Sequence, residues 1–445
     1  MSSFSLHEWL QSEQAAGTLD SEGEFTIAQS KAWEKLGAFQ LPFPEAWVLK
    51  LVQAALAWGK SRVAVVQTRE ETRFDLFNVP DWAPTELERA IFDTQHKAEG
   101  SLNHLAVAVR ALALQRTRPF SLRYADGSQV AWNGSAFTPL DPDDAKPGVF
   151  TLTVTNYRAD ESKLFFSTGH GNAARFRVQV SKALTDHCHL SGDRITLDTR
   201  PLISYWTDPD FGKTESSHPL TVVKAAPLAE WKPMVVEGHF MSPLAKFTEK
   251  NVEMMMPPGI SSRNTFSTAA ILSFFCRNEL VRESLQLDKW LYHPLNKRSQ
   301  VLWYSDGVIV SREPLSFDST VGLGVIVSAE GLPTDLTGFT PLKGPEKEAR
   351  VARSLAALRP ELSRLQEAVG EAPFAVTGQR VPTVVSGLIG AGVAFALPVL
   401  GVPWVLASGY KIAKGIKENS SLETAYNDAF TELVDHFSTR DVTVL

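Results

Sequence analysis

The segment KLVQAALAWGKSRVAVV, at residues 50–66, combines two patterns from which the surrounding architecture can be predicted. Its first half continues a broad apolar helical face that begins near Trp47, and Gly59 ends this helix. Its second half alternates along RVAVVQ, and a further alternating run, TRFDLFN at 72–78, follows after a charged turn. The segment therefore predicts a helix that leads directly into a β-hairpin.

The patterns that follow this segment predict a sheet with helices on one face. Helical patterns occupy residues 81–91 and 100–114. Strand patterns then occupy residues 120–124, 129–132, 149–156 and 175–180. Strands that are covered on one side by helices form an α+β sandwich of two layers, and this is the predicted fold class.

A second unit and a helical tail are predicted after this sandwich. Strand patterns at 301–303, 307–310 and 324–328 favour a second α/β domain. A charged amphipathic stretch at 346–370 leads into a helical C-terminal region. The predicted domains are residues 1–185, 186–345 and 346–445.

The composition is that of an ordinary globular protein and argues against several functional classes. The chain has 445 residues, 44% of them hydrophobic and 21% charged, which suits about two to three domains. Lys and Arg number 44 against 50 Asp and Glu, so the formal net charge is −6 and nucleic acid is not an expected partner. The two cysteines, Cys188 and Cys276, exclude a disulfide framework, and no signal-peptide pattern opens the chain. We therefore expect a cytoplasmic protein.

The helix and hairpin at 50–78 resemble the opening of the GHKL ATPase domain of gyrase B, MutL and the HtpG-type chaperones. Segments 74–87, 100–114 and 120–132 follow in the order of that family's Asp-x-Gly-x-Gly strand, second glycine-rich turn and next hairpin. Residues 301–339 are similar to the transducer strands that follow its nucleotide domain. The resemblance implies a GHKL-like N-terminal domain, a transducer-like middle domain, ATP or ADP with Mg²⁺ as ligands, a protein partner and a homodimer.

The sequence departs from the family pattern at the positions that carry its chemistry. The general-base glutamate of the family falls on Lys50, and its magnesium-binding asparagine falls on Ala54. A lysine cannot activate the attacking water as a carboxylate does, and alanine offers no oxygen to Mg²⁺. The nearest substitutes for ligand contacts are Lys50, Asn78, Asp81, Gly100 and Asn103. No residue is assigned a catalytic role, and no cofactor is assigned beyond ATP or ADP with Mg²⁺ in the second hypothesis below.

Two hypotheses follow from the first domain. The order of elements without the chemical residues favours a conformational switch or binding module that lacks competent ATP hydrolysis. A chaperone-like protein that binds ATP through relocated contacts is the alternative. Lys50 would then contact phosphate, although a solvated lysine on the polar side of a helix is the more usual case. His104 would face the nucleotide, although a hydrogen-bonded histidine at a helix start is again more usual.

Two smaller motifs carry weaker signals. Residues 186–189, Asp-His-Cys-His, form the densest group of potential metal ligands. On a strand, His187 and His189 would share a face and Cys188 would point away, so these residues alone cannot supply four ligands and no metal is expected. Two interpretations fit the glycine-flanked segment TGHGN at 168–172: a turn that approaches an anion, for which a lone GxG is a weak signal, and a hairpin turn.

The C-terminal region contains an unusually apolar window. Residues 381–410 include no Asp, Glu, Lys, Arg or His, which makes the window long enough for a membrane segment. Pro398 and Pro403 argue against one regular helix and predict a helical hairpin over 381–417. The residues expected to carry its contacts are Gly387, Gly390, Val393 and Trp404. Two interpretations stay open: a membrane-perturbing effector in contact with a bilayer, and a hairpin buried within the fold.

Overall fold

The computed structural model describes residues 41–371 with short gaps, together with residue 428 and residues 431–435. The gaps are 93–99, 116–117, 135, 142–147, 162, 165–166, 203–216, 233, 241–251, 255–261, 284–285, 295–296, 320–321 and 336. The predicted apolar hairpin at 381–417, with its Gly387, Gly390, Val393 and Trp404, lies outside the described residues.

Five α-helices of residues 41–371 lie before, between and after the strands of the described residues. They are α1 (Trp47–Leu56), α2 (Pro84–Phe92), α3 (Gly100–Gln115), α4 (Thr168–Cys188) and α5 (Pro345–Glu371), with a 3₁₀ turn at Gly192–Arg194. The sequence predicts α1, α2 and α3 at nearly these positions, because each has apolar residues at helical spacing.

The first sheet has eight strands in the order β5-β4-β3-β6-β2-β1-β7-β8. These strands are β1 (Arg62–Gln67), β2 (Glu71–Phe77), β3 (Phe120–Arg123), β4 (Gln129–Trp132), β5 (Phe137–Leu140), β6 (Val149–Thr155), β7 (Ile195–Leu197) and β8 (Arg200–Pro201). Neighbours are antiparallel except β1 and β7, which run parallel. The β1–β7 pairing brings the segment after α4 next to the end of α1.

A second, seven-stranded sheet follows in the order β11-β9-β13-β17-β15-β16, with β14 paired to β13. Its strands are β9 (Ser217–Lys224), β11 (Val252–Met254), β13 (Ala270–Glu283), β14 (Gln286–Pro294), β15 (Lys297–Ser305), β16 (Val308–Ser319) and β17 (Gly322–Ser328). A separate pair joins β10 (Met234–Phe240) to β12 (Ser262–Thr268). Mostly antiparallel sheets with separate helices make the fold α+β, which confirms the predicted α+β class, whereas the two-layer sandwich stays a prediction.

The helix and hairpin predicted from residues 50–66 form the centre of the first sheet's core. All ten residues of α1 are buried. In the hairpin, Val63 pairs with Leu76 and Val65 pairs with Phe74, and all four side chains are buried. Trp47 of α1 packs edge-on against Phe74, with 5.4 Å between the ring centroids. Helix α1 is therefore fixed against the middle of the sheet.

The strand predicted at 175–180 and the hairpin turn predicted at 168–172 are wrong, because both segments belong to helix α4. Phe176, Val178 and Val180 alternate as in a strand, and this produced the error. In the structure Phe176 and Val180 are buried one helical turn apart, whereas Val178 is 66% exposed. The buried residues of α4, which include Phe176 and Val180 but not Val178, therefore have helical spacing.

The turn between β15 and β16 packs closely against the end of α1. Gly307 in this turn has a φ of +84°, and a Cβ built there would lie 2.9 Å from Ser191 Oγ and closer still to a Leu56 methyl group. Only glycine permits this approach at this backbone conformation. Ser191 Oγ also donates a 2.7 Å hydrogen bond to the Gly307 carbonyl oxygen. The second sheet therefore reaches the first through its β15–β16 turn.

Candidate functional site

Two buried polar side chains distinguish α1 from an ordinary core helix. Lys50 is 2% exposed and Gln53 is 1% exposed, although the rest of the helix is apolar. They are three residues apart, so they project from the same side of the helix. Buried polar groups need hydrogen-bond partners, and Lys50 finds one in the loop after β17 while Gln53 finds one at the end of β15.

Lys50 is held by a loop whose described residues are Asp335 and 337–340, the 335–340 loop. Its Nζ donates a 2.8 Å hydrogen bond to the Gly338 carbonyl oxygen and lies 4.2 Å from the centroid of the Phe339 ring. Gly338 has a φ of +68°, and a Cβ there would lie 2.9 Å from Lys50 Nζ. Burial lowers the pKa of Lys50 to about 8, although Asp335 and Asp306 act in the opposite direction.

Hydrogen bonds fix the loop that meets Lys50. Asp335 Oδ1 accepts from Thr337 Oγ1 at 2.6 Å and from the backbone N–H groups of Phe339 and Thr340. Burial alone would raise the pKa of Asp335, but these hydrogen bonds outweigh it and hold the pKa below its ordinary value. The loop therefore presents a preformed carbonyl and an ionised carboxylate to the lysine.

Gln53 and His104 both contact the β15–β16 turn. Gln53 Nε2 donates to the Ser305 carbonyl oxygen at 3.3 Å, and His104 Nε2 lies 3.6 Å from Asp306 Oδ2. Burial alone would raise the pKa of Asp306, but its interactions with His104, Lys232 and the Ser305 hydroxyl hold it below its ordinary value. Gln53 Oε1 and His104 Nδ1 are buried and have no hydrogen-bond partner among the described residues.

The structure does not gather the sequence-predicted ligand residues into one site. Lys50 is buried, so its interpretation as a solvated lysine is wrong, and its Nζ is already engaged by Gly338. Asn78, Asp81, Gly100 and Asn103 are exposed. Within the described part of the chain, no hydrogen bond or ion pair joins Lys50 to any of them. Asn78 Nδ2 instead donates a long, 3.5 Å hydrogen bond to the Lys60 carbonyl oxygen.

A buried tryptophan, Trp82, lies in the segment between β2 and α2. Trp82 is 5% exposed, and its Nε1 donates to Ser101 Oγ at 3.2 Å. Its ring packs edge-on against Phe150, with 5.1 Å between centroids. A bulky side chain and its packing partner therefore fill the space beside this backbone segment.

An open pocket of about 520 Å³ lies between the end of α1 and the second sheet. Its lining includes four basic residues, Lys60, Arg62, Arg194 and Lys232, and two acidic residues, Asp306 and Glu330. Its apolar lining includes Leu56, Met234, Val235 and Tyr304. Sequence reasoning missed this pocket. The sequence shows only the basic pair of Lys60 and Arg62 at the start of β1. Arg194 joins them because β7 pairs with β1, and Lys232 joins them because it precedes β10.

The Asp-His-Cys-His segment at 186–189 ends helix α4 and does not form a strand. His187 Nδ1 lies 2.8 Å from the Ile309 carbonyl oxygen and His189 Nδ1 lies 3.1 Å from that of Thr185, so each Nδ1 carries a proton. Burial lowers the pKa of His187 to about 4 and that of His189 to about 3, and it raises the pKa of the Cys188 thiol. These groups are neutral packing residues at pH 7.

Among the described residues, no group of three or more His, Cys, Asp or Glu side chains could hold a metal ion.

No helix in the described ranges is both long enough and apolar enough to cross a bilayer. The chain matches no protein-family model and no curated protein sequence.

Proposed function

We propose that this protein is a GHKL-like conformational switch that does not hydrolyse ATP, and that helix α1 connects its two large sheets. One observation carries the proposal: Lys50, at the position of the family's general base, is buried and bonded to the carbonyl oxygen of Gly338. A lysine in this position holds α1 against the loop that contains Gly338, and it cannot act as a general base toward a water molecule.

The chemistry of Lys50 argues against hydrolysis by the family mechanism. A general base must accept a proton from a water molecule within hydrogen-bond reach. The ammonium group of Lys50 only donates, and its Gly338 bond and Phe339 contact occupy it. Residues 74–87 follow the order of the family's Asp-x-Gly-x-Gly strand, and the buried Trp82 in this segment argues further against a nucleotide there. These contacts therefore also count against ATP binding through Lys50, Asn78, Asp81, Gly100 and Asn103.

The strength of the contacts suits a switch. A hydrogen bond from a charged group contributes about 1.5–3 kcal/mol, and a cation–π contact adds about 0.5–2 kcal/mol. The burial of the ammonium group opposes both contributions, as the lowered pKa of Lys50 indicates. The net free energy of the contact is then a few kcal/mol at most, which is within the range that one bound ligand can shift.

The switch requires an output, which the sequence offers at residues 381–417. In this proposal, separation of α1 from the 335–340 loop changes the contacts of that apolar hairpin, either with a bilayer or with a partner protein such as a second copy of the chain. The absence of a disulfide framework favours a cytoplasmic site of action.

Phosphate release from Mg²⁺-ATP tests the claim that the protein does not hydrolyse ATP. We expect the wild-type protein and the Lys50→Glu variant to show no Mg²⁺-dependent turnover, because a carboxylate at position 50 would be repelled by the Gly338 carbonyl and Asp335, and Ala54 supplies no oxygen at the position of the family's magnesium ligand. Wild-type turnover that Asp306→Asn abolishes would mean that the protein is an ATPase. Turnover that appears only in Lys50→Glu would mean that the site binds Mg²⁺-ATP and lacks only its general base. The wild-type measurement decides the matter even where Lys50→Glu fails to fold.

A further inference from the structure

We infer that the open pocket beside the end of α1 binds a small organic phosphate, with the phosphate group on its basic rim and the organic part on its apolar wall. The pocket itself is independent of the switch, whereas the regulatory consequence given below rests on the proposed function.

The charges of the pocket are unbalanced toward positive. The carboxylate of Glu330 is paired with Lys232 at 3.0 Å, and that of Asp306 faces His104 at 3.6 Å. Lys60, Arg62 and Arg194 line the same pocket, and none of them lies within ion-pair distance of a carboxylate in the described part of the chain. Three cations without a counter-charge at one concave surface attract an anion.

The basic residues are of the type that binds phosphate, and one of them is held in place. Arg194 Nη2 donates a 3.1 Å hydrogen bond to the Leu56 carbonyl oxygen, and the residue ends the 3₁₀ turn next to β7. A guanidinium has five N–H donors, so this bond leaves others for phosphate oxygens. Arg62 and Lys60 are exposed at the start of β1, and the pairing of Val63 with Ile195 places Arg62 beside Arg194.

The volume and the apolar lining point to an organic phosphate in preference to a bare ion. A pocket of about 520 Å³ has the size of a small-molecule site and greatly exceeds an inorganic phosphate. Leu56, Met234 and Tyr304 form part of the wall, and Val235 is 39% exposed, which is unusual for a large apolar side chain of this structure. An apolar surface of this kind is covered when the organic part of a ligand lies on it.

A ligand in the pocket would favour the state of the switch in which α1 contacts the second sheet. The lining includes Asp306 and Gly307 of the β15–β16 turn together with Leu56 of α1, so a ligand touches both α1 and the turn of the second sheet that packs against it. A ligand that binds this arrangement better than the separated one shifts the equilibrium toward it.

Isothermal titration with AMP and with inorganic phosphate, in low salt and without Mg²⁺, tests the pocket. We expect saturable binding of AMP that is tighter than that of inorganic phosphate. We expect at least a tenfold increase in Kd in Arg62→Gln and in Arg194→Gln, and no change in the matched control Arg359→Gln on α5. Arg62 is exposed and its replacement spares the core, so that variant remains informative if Arg194→Gln unfolds.

Three outcomes separate the pocket from the switch. Absence of saturable binding of both probes, or binding that Arg62→Gln and Arg194→Gln leave unchanged, overturns the pocket and leaves the proposed switch standing. Binding with the expected variant pattern supports the pocket. If that binding leaves amide hydrogen exchange in residues 305–307 and 335–340 unchanged, the pocket stands and the proposed coupling is overturned.

Discussion

At the scale of single residues, the environment of Lys50 determines what that side chain can do. The sequence places it on a helix and leaves its role open between a solvated lysine and a phosphate ligand. Its partner Gly338 is 288 residues away along the chain, and no helical pattern can reveal a contact at that distance. The same limit applies to His104 and Asp306, which meet only because the β15–β16 turn reaches α3.

The buried charge of Lys50 makes stability depend on pH in a defined direction. Its pKa is about 8 in the folded protein and 10.5 in a free lysine, so between these values the unfolded chain binds more protons and stability rises with pH. Relative to Lys50→Met, wild type should gain up to about 3 kcal/mol in free energy of unfolding over this interval. Urea unfolding of both proteins at pH 7, 8, 9 and 10 measures this difference.

The exposed Lys343→Met variant is the control for that series, and its difference from wild type should not change with pH between 7 and 10. If the Lys50→Met difference were equally flat, the lysine would not be buried as a charged group.

At the scale of the elements, periodicity predicts those whose buried face is decided locally. Helix α1 and the β1–β2 hairpin are confirmed because their apolar residues follow one period each. Helix α4 was misassigned because Phe176, Val178 and Val180 also fit a period of two. The exposure of Val178 depends on what α4 packs against, and that information lies in the tertiary structure.

The β15–β16 turn should tolerate no side chain at Gly307. We expect Gly307→Ala to destabilise the protein by about 2–4 kcal/mol, because the positive φ costs about 1 kcal/mol and the Cβ collides with Leu56 and Ser191. Gly127 has a similar φ of +90° in the β3–β4 turn, with no atom within 4 Å of its Cβ position. Gly127→Ala should therefore cost only the backbone strain, about 1 kcal/mol. Equal losses in the two variants, measured by urea unfolding, would show that the turn does not press on α1.

At the scale of the whole molecule, α1 contacts both halves of the described chain. Its apolar side chains belong to the first sheet's core, and Lys50 and Gln53 bond to loops of the second half. The pocket has the same origin, since Lys60 and Arg62, Arg194, and Lys232 come from three places in the sequence and meet only in the folded chain. The α+β class could be predicted from local patterns, whereas the site could not, because it exists only where distant segments converge.

Amide hydrogen exchange in residues 335–340 tests the central claim, that the contact between Lys50 and its loop opens without unfolding of the sheets. In wild type, the Gly338 and Phe339 N–H groups bond to Asp335 and report this opening. We predict that they exchange by a local opening whose free energy is well below that of β15 and β17, and that Lys50→Met accelerates it at least tenfold while Lys343→Met does not. Exchange of these amides only through global unfolding, with no effect of Lys50→Met, would contradict the account.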